Sequence, residues 1–441
     1  MRVTVKENGP LTSYLKGAPE VLIGRSRLSA QERKNWEEKA EGYAKEGFRV
    51  LALGHRKGEG DEEIEFIGLV LLWDPPRREV PEAIRRAQEA GIHTLMVTGD
   101  HPATALAVAR EVGIPPGRVL TGLDLETMPL DTLRAAVRET KVFARVAPEH
   151  KLRLVEALKQ NGEIVAMTGD GVNDAPALKR SDVGVAMGER GSDVSREVAD
   201  LVLMDDNFST IIAAIEEGRN IYENIQKFIR FLFSTNLAEV LIVVMGAFGS
   251  VMLGLRDETG AILLPVTAVQ LLWINIITDG PPALALGLDR DAGVMRQPPR
   301  DPQSPLLDSD SLRFIVAAGC FKALVGGALL VLMPRAGFST LETQTAIFLH
   351  ASIGQLFYAY PARRSITTGT PPQFNPALHL AVILGTGLQF LTVLLPALRN
   401  LLGLAAPGWP LLGLVTVAVL LSWGMAEACI RILRYTHRAE K

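Results

Sequence analysis

Charge is distributed very unevenly along this 441-residue chain, and this feature limits most strongly what the chain can fold into. Residues 1–226 are rich in Lys, Arg, Asp and Glu, whereas residues 228–432 contain long apolar runs with few charged side chains. About 20 consecutive apolar residues suffice for a helix to cross the hydrocarbon core of a membrane. The pattern therefore predicts a soluble half followed by a membrane half, and it disfavours a wholly soluble helical protein.

Six apolar runs in the second half predict an all-α bundle of six membrane helices. The fourth and sixth runs are shorter than the others, so they are the weaker candidates. The runs are residues 231–255, 261–288, 314–333, 346–360, 378–398 and 409–426.

The basic residues between these runs predict an orientation. With the soluble half in the cytoplasm, the loops 289–313 and 361–377 and the tail after residue 428 are cytoplasmic, and they carry ten Lys and Arg against three on the opposite side. This excess is what the positive-inside rule requires. The ten are Arg290, Arg296, Arg300, Arg313, Arg363, Arg364, Arg431, Arg434, Arg438 and Lys441; the three are Arg256, Arg335 and Arg399.

Other global features narrow the class of protein. The sequence after Met1 has no apolar leader, so we expect the soluble half to stay in the cytoplasm of a cell-membrane protein. The net charge of −3 gives no reason to expect a nucleic-acid partner, and two distant cysteines do not make a disulfide framework.

The soluble half changes pattern near residue 66. Residues 1–66 predict short strands and a helix over 29–44, which begins with a capping box of Ser29 and Glu32. From residue 67 apolar strands alternate with amphipathic helices, which indicates an α/β domain with a parallel sheet. The predicted strands are 67–73, 93–98, 142–144, 164–168, 183–186 and 201–204, with helices at 81–90, 103–112 and 148–160.

Two polar loops follow strands of this predicted sheet, where α/β proteins place their chemistry. One is Thr-Gly-Asp at 98–100, and the other is Thr-Gly-Asp-Gly at 168–171. Glycines let the backbone of the second loop turn sharply, and Asp170 and Asp174 can offer oxygen ligands to a hard cation such as Mg²⁺. Taken alone, an acidic Gly-rich turn is more often an ordinary loop.

The residues around this loop extend the pattern into a set of motifs. Residues 167–179, Met-Thr-Gly-Asp-Gly-Val-Asn-Asp-Ala-Pro-Ala-Leu-Lys, resemble the hinge signature of the P-type ATPases, which are haloacid-dehalogenase-like phosphotransferases. Four further motifs match that family in its order, and the resemblance covers essentially the whole chain. They are Lys-Gly-Ala-Pro-Glu (16–20), Asp-Pro-Pro-Arg (74–77), Thr-Gly-Asp (98–100) and Ala-Arg-Val-Ala-Pro (144–148) with Lys151 after it.

The resemblance implies ATP and Mg²⁺ as cofactors and assigns roles to individual residues. Lys16 and Arg49 would contact ATP; the alternative for both is a solvated surface cation. The implied phosphoryl-binding residues are Thr98, Gly99 and Lys151; the remaining nucleotide-region residues are Asp100 and Arg145; the magnesium region is Asp170, Asn173 and Asp174.

The membrane half contains two carboxylates that need an explanation. Glu239 and Asp279 lie in apolar runs, where a charged side chain costs about 2.5–3.5 kcal/mol on insertion scales. Asn236 shares a helix face with Glu239, and Asn275 and Thr278 share one with Asp279. The following Gly-Pro-Pro at 280–282 is expected to break the helix and free carbonyls, which predicts an oxygen cage for a cation; the alternative is polar residues tolerated between helices.

The sequence around Asp279 resembles the calcium-pump branch of the family. Gln355 stands where sarcoplasmic-type pumps have a glutamate, which favours one transported ion, calcium or alternatively manganese. Lys322 and His350 also lie within apolar runs, and we interpret them as structural or snorkelling residues.

The family's Asp-Lys-Thr-Gly-Thr loop, which carries the phosphorylated aspartate, does not occur in these 441 residues. Nor do its actuator-domain loop and first four membrane helices. We therefore expect part of a nucleotide-binding domain (1–66), a phosphorylation domain without its central strand (67–222) and a six-helix transport domain (223–441). Such a chain would be inactive alone, either as a fragment or as half of a split pump whose second chain supplies the rest.

Two other classes remain open from the sequence. One is a non-catalytic membrane protein that senses nucleotide or regulates a partner. The other is a soluble-type phosphatase fused to unrelated helices, which would leave Glu239, Asn275 and Asp279 without a purpose.

Overall fold

The computed structural model describes residues 1–6, 11–58, 63–73, 75–115, 117–256, 260–366 and 370–439. They form two compact units, Met1–Ala214 and Ile215–Lys441. Three residues of the sequence predictions fall outside the described set: Asp74 of the Asp-Pro-Pro-Arg motif, Lys441, and the side chain of Arg438.

The first unit begins with a four-stranded antiparallel sheet in the order β1-β2-β3-β4. Helix α2 starts at the predicted capping box, in which Ser29 and Glu32 bond each other's backbone N–H groups. The sequence assigned 67–73 to the parallel sheet; this was wrong, because β4 pairs antiparallel with β3. The elements are β1 (Arg2–Val5), β2 (Thr12–Gly17), α1 (Pro19–Gly24), α2 (Ala30–Lys45), β3 (Arg49–Lys57) and β4 (Glu65–Leu72).

Strands and helices then alternate, as the hydrophobic pattern predicts for an α/β domain. The strand pairs in this region are all parallel, and a short strand that the sequence analysis missed, β6, joins them. The elements are α3 (Val80–Glu89), β5 (Met96–Val97), α4 (Pro102–Glu111), β6 (Val119–Thr121), α5 (Gly122–Thr127), α6 (Leu130–Glu139), β7 (Val142–Ala144), α7 (Pro148–Gln160), β8 (Ala166–Gly169), α8 (Ala175–Arg180), β9 (Val183–Met187), α9 (Asp193–Val198) and β10 (Leu201–Leu203).

The parallel strands form two separate three-stranded sheets, in the orders β5-β7-β6 and β10-β9-β8. Among the described residues, β5 and β8 are therefore each an edge strand. The two polar loops of the sequence analysis lie at the carboxyl ends of these two edge strands. Thr98 comes directly after β5, whereas Thr168 and Gly169 are the last two residues of β8 and Asp170 comes directly after it.

The second unit is helical. Among the described residues, four helices are long and apolar enough to span a membrane: Phe208–Leu253, Ser309–Arg335, Pro376–Leu394 and Trp409–Thr436. The predicted count of six is not reached by this criterion. The helices are α10 (Phe208–Leu253), α11 (Ala268–Trp273), α12 (Gly280–Gly287), α13 (Ser309–Arg335), α14 (Thr340–Ala362), α15 (Pro376–Leu394), α16 (Pro396–Leu402) and α17 (Trp409–Ala439).

The second apolar run, 261–288, is helical in three pieces. Between α11 and α12 the residues Ile274–Asp279 form a π-helix. Pro281 and Pro282 have no backbone N–H, so the regular ladder of i to i−4 bonds cannot continue through them. The sequence predicted an unwound segment at 280–282, but the structure has a widened helical turn directly before these residues. Widened turns of this kind often occur at functional sites.

Helix α14 is the most enclosed element of this unit. Most of its residues are buried, including the polar side chains of His350, Ser352 and Gln355. Glycines allow other helices to approach closely: a Cβ on Gly319 of α13 would lie 2.9 Å from the Ser234 carbonyl of α10. The close approach brings the polar side chains of α10, α13 and α14 into one region.

Candidate functional site

Predicted site residues form two separate groups in the structure, one within each unit. In the first unit, the loop after β8 is fixed by the carboxylate of Asp174, which is only 5% exposed. One of its oxygens, Oδ2, accepts hydrogen bonds from the backbone N–H groups of Asp170 and Gly171, both at 3.2 Å. A Cβ at Gly169 would lie 2.5 Å from the Cβ of Asp174, so the loop requires glycine there.

Lys151 is held by the same carboxylate. Its Nζ, at the start of α7, is 2.5 Å from Oδ1 of Asp174. Both oxygens of Asp174 are therefore engaged, while Asp170 and Asn173 are exposed at the loop surface. Mg²⁺ usually binds one or two carboxylates and keeps water or phosphate oxygens as its other ligands. Asp170 suits that requirement, whereas Asp174 shapes the loop and positions Lys151.

The Thr-Gly-Asp loop after β5 is also internally bonded. Thr98 Oγ1 donates to Asp100 Oδ2 at 3.0 Å and accepts from the Asp100 N–H at 3.1 Å, while Gly99 is exposed. The backbone N–H of Arg145 donates to the Asp100 carbonyl at 3.0 Å. The Thr-Gly-Asp and Ala-Arg-Val-Ala-Pro motifs, distant in sequence, are thus adjacent in space.

Arg145 joins these motifs to helix α1 of the N-terminal region. It has a left-handed backbone conformation with φ of 53°, which is unusual for a residue with a side chain. Its guanidinium lies 2.5 Å from the carboxylate of Glu20, in the Lys-Gly-Ala-Pro-Glu motif. Arg49 makes a second such connection, because its Nε is 3.7 Å from Asp100 Oδ1.

Lys16 and Arg49 share the exposed face of the antiparallel sheet. Lys16 of β2 pairs with Leu53 of β3, four residues from Arg49, and residues four apart on a strand point to the same side. The offset corresponds to about 13 Å along the strand. A cavity of about 520 Å³ opens beside Lys16 and is also lined by Arg2 and Arg25. This arrangement offers separated cations to an extended polyanionic ligand.

In the second unit, the two predicted carboxylates lie together. Glu239 is 7% exposed and Asp279 is 4% exposed, and the side-chain amide of the fully buried Gln355 donates to Asp279 Oδ1. Within the described part of the chain, Glu239 Oε1 is buried without a hydrogen-bond partner. Such an oxygen is costly unless a ligand satisfies it.

The other predicted cation ligands are divided between the interior and the surface. Thr278 is buried and donates to the Ile274 carbonyl at 2.6 Å. Asn275 is exposed and donates to the Leu271 carbonyl at 2.9 Å, and Asn236 is exposed on α10. Glu239, Asp279 and Thr278 are thus buried, whereas Asn236 and Asn275 are exposed.

Sequence reasoning missed one member of the membrane cluster. Lys322, interpreted as structural or snorkelling, is fully buried, and its Nζ donates to Gln355 Oε1 at 3.5 Å. A signal was available, because glycines occur three residues before it and four residues after it and mark the face of α13 that packs against α10.

Comparisons with known proteins agree with this division into two units. Residues 4–182 match the sequence model of the haloacid dehalogenase-like hydrolases, and residues 263–432 match that of the cation transporting ATPase C-terminus. The calcium-transporting ATPase of Bacillus subtilis is 38% identical over 422 residues, covering 89% of this chain and 46% of that protein. The calcium-transporting ATPase type 2C member 2 of Rattus norvegicus is 39% identical over 368 residues, covering 79% and 37%.

The chain spans about half the length of the curated relatives it matches. Three findings indicate the same kind of protein. They are the match to the haloacid dehalogenase-like domain, the match to the C-terminal membrane region and the apolar helices. It is a membrane protein, and it belongs to the P-type cation-transporting ATPases, with sequence similarity to members named calcium-transporting ATPases.

Proposed function

We propose that this chain forms the C-terminal portion of an ATP-driven pump that exports calcium across the cell membrane. The observation that carries the proposal is the pair of buried carboxylates, Glu239 and Asp279, inside an apolar helical unit. A buried pair of like charges is unfavourable unless a cation accompanies it, and carboxylate oxygens are the ligands that Ca²⁺ prefers. The relatives' names favour calcium; manganese is the alternative for a site of this composition.

The first unit would supply the energy through phosphoryl transfer. Thr98 and Gly99 would hold phosphoryl oxygens, and Lys151, fixed by Asp174, would stabilise the charge that develops on the transferred group. Mg²⁺, when held by Asp170, would neutralise further phosphate charge. Lys16 and Arg49 would bind ATP.

The phosphorylated aspartate must then come from polypeptide outside these 441 residues, which contain no Asp-Lys-Thr-Gly-Thr string. The edges of β5 and β8 are where we expect its strand to pair, because the polar loops 98–100 and 168–171 both lie at the carboxyl ends of these strands. A longer version of this chain or a second chain could provide that strand. It would also provide the actuator domain and four further membrane helices, which could pack against the exposed residues Asn236 and Asn275.

The orientation follows from the same proposal. The first unit and the C-terminus would be cytoplasmic, because ATP is available there and the basic loops favour that side. The ion would therefore move from the cytoplasm outward.

Labelling with γ-³²P-ATP in the presence of Mg²⁺ and Ca²⁺ tests the proposal. The chain alone should form no hydroxylamine-sensitive acyl phosphate, since its predicted phosphoryl-binding residues, Thr98, Gly99 and Lys151, include no carboxylate to act as the nucleophile. Co-expression with the N-terminal half of the Bacillus subtilis relative should restore calcium-dependent labelling, with the label on the added half.

Two variants sharpen this test. Asp279→Asn should abolish calcium-dependent labelling of the restored pump, whereas Asp310→Asn, at the start of α13 and remote from the carboxylate pair in sequence, should leave it intact. An acyl phosphate on the chain alone would contradict the assignment of the nucleophile. Nucleotide binding without labelling in any combination would instead favour a non-catalytic, nucleotide-sensing protein.

A further inference from the structure

Lys322 lies beside the carboxylate pair and has no access to solvent. Its exposed fraction is 0%, its Nζ donates to Gln355 Oε1 at 3.5 Å, and the same Nζ lies 5.4 Å from the centre of the Tyr358 ring. A snorkelling lysine extends its ammonium toward water along an apolar surface. Because the Lys322 ammonium is enclosed by polar and aromatic side chains of α14, the snorkelling interpretation was wrong.

The packing of α13 explains why this side chain points inward. Gly319 and Gly326 lie three residues before and four residues after Lys322, hence on its face of the helix. A Cβ at Gly319 would meet the Ser234 carbonyl of α10 at 2.9 Å, and one at Gly326 would meet Ile242 of α10 at 3.1 Å. The face that bears Lys322 is thus the face packed against the segment of α10 that carries Glu239.

Gln355 connects the ammonium to the carboxylates. Its carbonyl oxygen accepts from Lys322, its amide nitrogen donates to Asp279, and its side chain also interacts with Glu239. Lys322 interacts electrostatically with both carboxylates. If all three groups are ionised, they leave one net negative charge, and one divalent cation changes this to one net positive charge. A second divalent cation would leave three uncompensated positive charges in a buried site.

We propose that the Lys322 ammonium acts as a tethered cation that occupies the second cation position beside Glu239 and Asp279 and restricts the site to one divalent ion. This inference rests on the proposed function, because it presumes that the carboxylates bind the transported ion. An ammonium suits the role, since it is a compact charge with three hydrogen-bond donors on a flexible stem. Glu239 Oε1, buried without a partner among the described residues, remains available to the single ion.

Equilibrium binding of ⁴⁵Ca²⁺ to the complete 441-residue chain in lipid nanodiscs tests the inference. Wild type should bind at most one ion per chain, and Lys322→Met should either bind a second ion or bind the first on the order of tenfold more tightly, as removal of a nearby like charge predicts. Lys322→Arg, which keeps the charge, should behave as wild type. Lys227→Met is the matched control, because Lys227 is equally buried but pairs with Asp289 at 2.9 Å; its calcium binding should be unchanged.

Glu239→Gln separates failure of the inference from failure of the proposed site. If Glu239→Gln weakens binding while Lys322→Met changes neither stoichiometry nor affinity, the carboxylate site stands and the tethered-cation role is refuted. If Glu239→Gln binds calcium as wild type does, the proposed site is wrong and the inference falls with it.

A second comparison covers the case in which Lys322→Met does not fold or wild-type binding is too weak to measure. The double variant Lys322→Met/Glu239→Gln keeps the net charge of minus one that wild type has, whereas Glu239→Gln alone has none. The double variant should therefore bind calcium on the order of tenfold more tightly than Glu239→Gln alone. It should also restore thermal stability that Lys322→Met loses without calcium. Equal affinities, or no affinity together with additive stability effects, would overturn the inference.

Discussion

Asp289 is the residue whose charge we expect to contribute most to the stability of the second unit. Its side chain is 1% exposed and pairs with two cations, Lys227 at 2.9 Å and Arg363 at 2.7 Å. Asn375 donates a further hydrogen bond to it at 3.2 Å. Asp289→Asn keeps the shape but leaves two buried cations without an anion. Breaking a buried pair in this way costs about 3–5 kcal/mol, a large part of the 5–15 kcal/mol by which a typical domain is stable.

The matched control is Asp310→Asn. Asp310 pairs at 3.0 Å with Arg313, whose side chain is 66% exposed, so the loss should be under about 1 kcal/mol. The free energy of unfolding can be measured from the loss of helical circular dichroism as sodium dodecyl sulfate is titrated into dodecylmaltoside micelles. Adding Lys227→Met to Asp289→Asn should recover part of the loss, because one unpaired cation is removed. Equal effects of Asp289→Asn and Asp310→Asn would refute the reasoning.

Two further predictions concern the first unit. Gly169→Ala should displace Asp174 and lower both stability and Mg²⁺ affinity, whereas Gly171→Ala should be tolerated, because its new Cβ would find its nearest neighbour at 3.6 Å; urea unfolding and magnesium titration would show whether the two differ. Burial acts to raise the pKa of Asp206, but the backbone N–H groups of the loop after β9 outweigh it and lower the pKa. A lowered pKa stabilises the fold above about pH 4 and loses that contribution as the pH falls further, so Asp206→Asn should be less sensitive to acid between pH 5 and 3 in thermal melts. An unchanged acid sensitivity would contradict this.

Much of the architecture could be read from local pattern. The capping box at Ser29 fixed the start of α2, and the alternation of apolar strands with amphipathic helices indicated the parallel α/β region. The strand at 67–73 was assigned to the wrong sheet, because hydrophobic periodicity reveals that a segment is a strand but not which strand it pairs with. Strand β6, which is three residues long, was missed by the pattern analysis.

The candidate sites show the same limit. The sequence alone determined which residue types could do chemistry: acidic and Gly-rich loops after strands, and carboxylates in apolar runs whose insertion cost demands a reason. Whether a buried polar side chain has a hydrogen-bonding or ionic partner depends on helices that are distant in sequence. These partners could therefore be identified only in the folded chain. Close packing at Gly319 turned Lys322 from an isolated charge into a neighbour of Gln355 and the carboxylate pair. The reason is that the energy of a charge in a low-dielectric interior depends on the groups around it, and helix packing determines which groups those are.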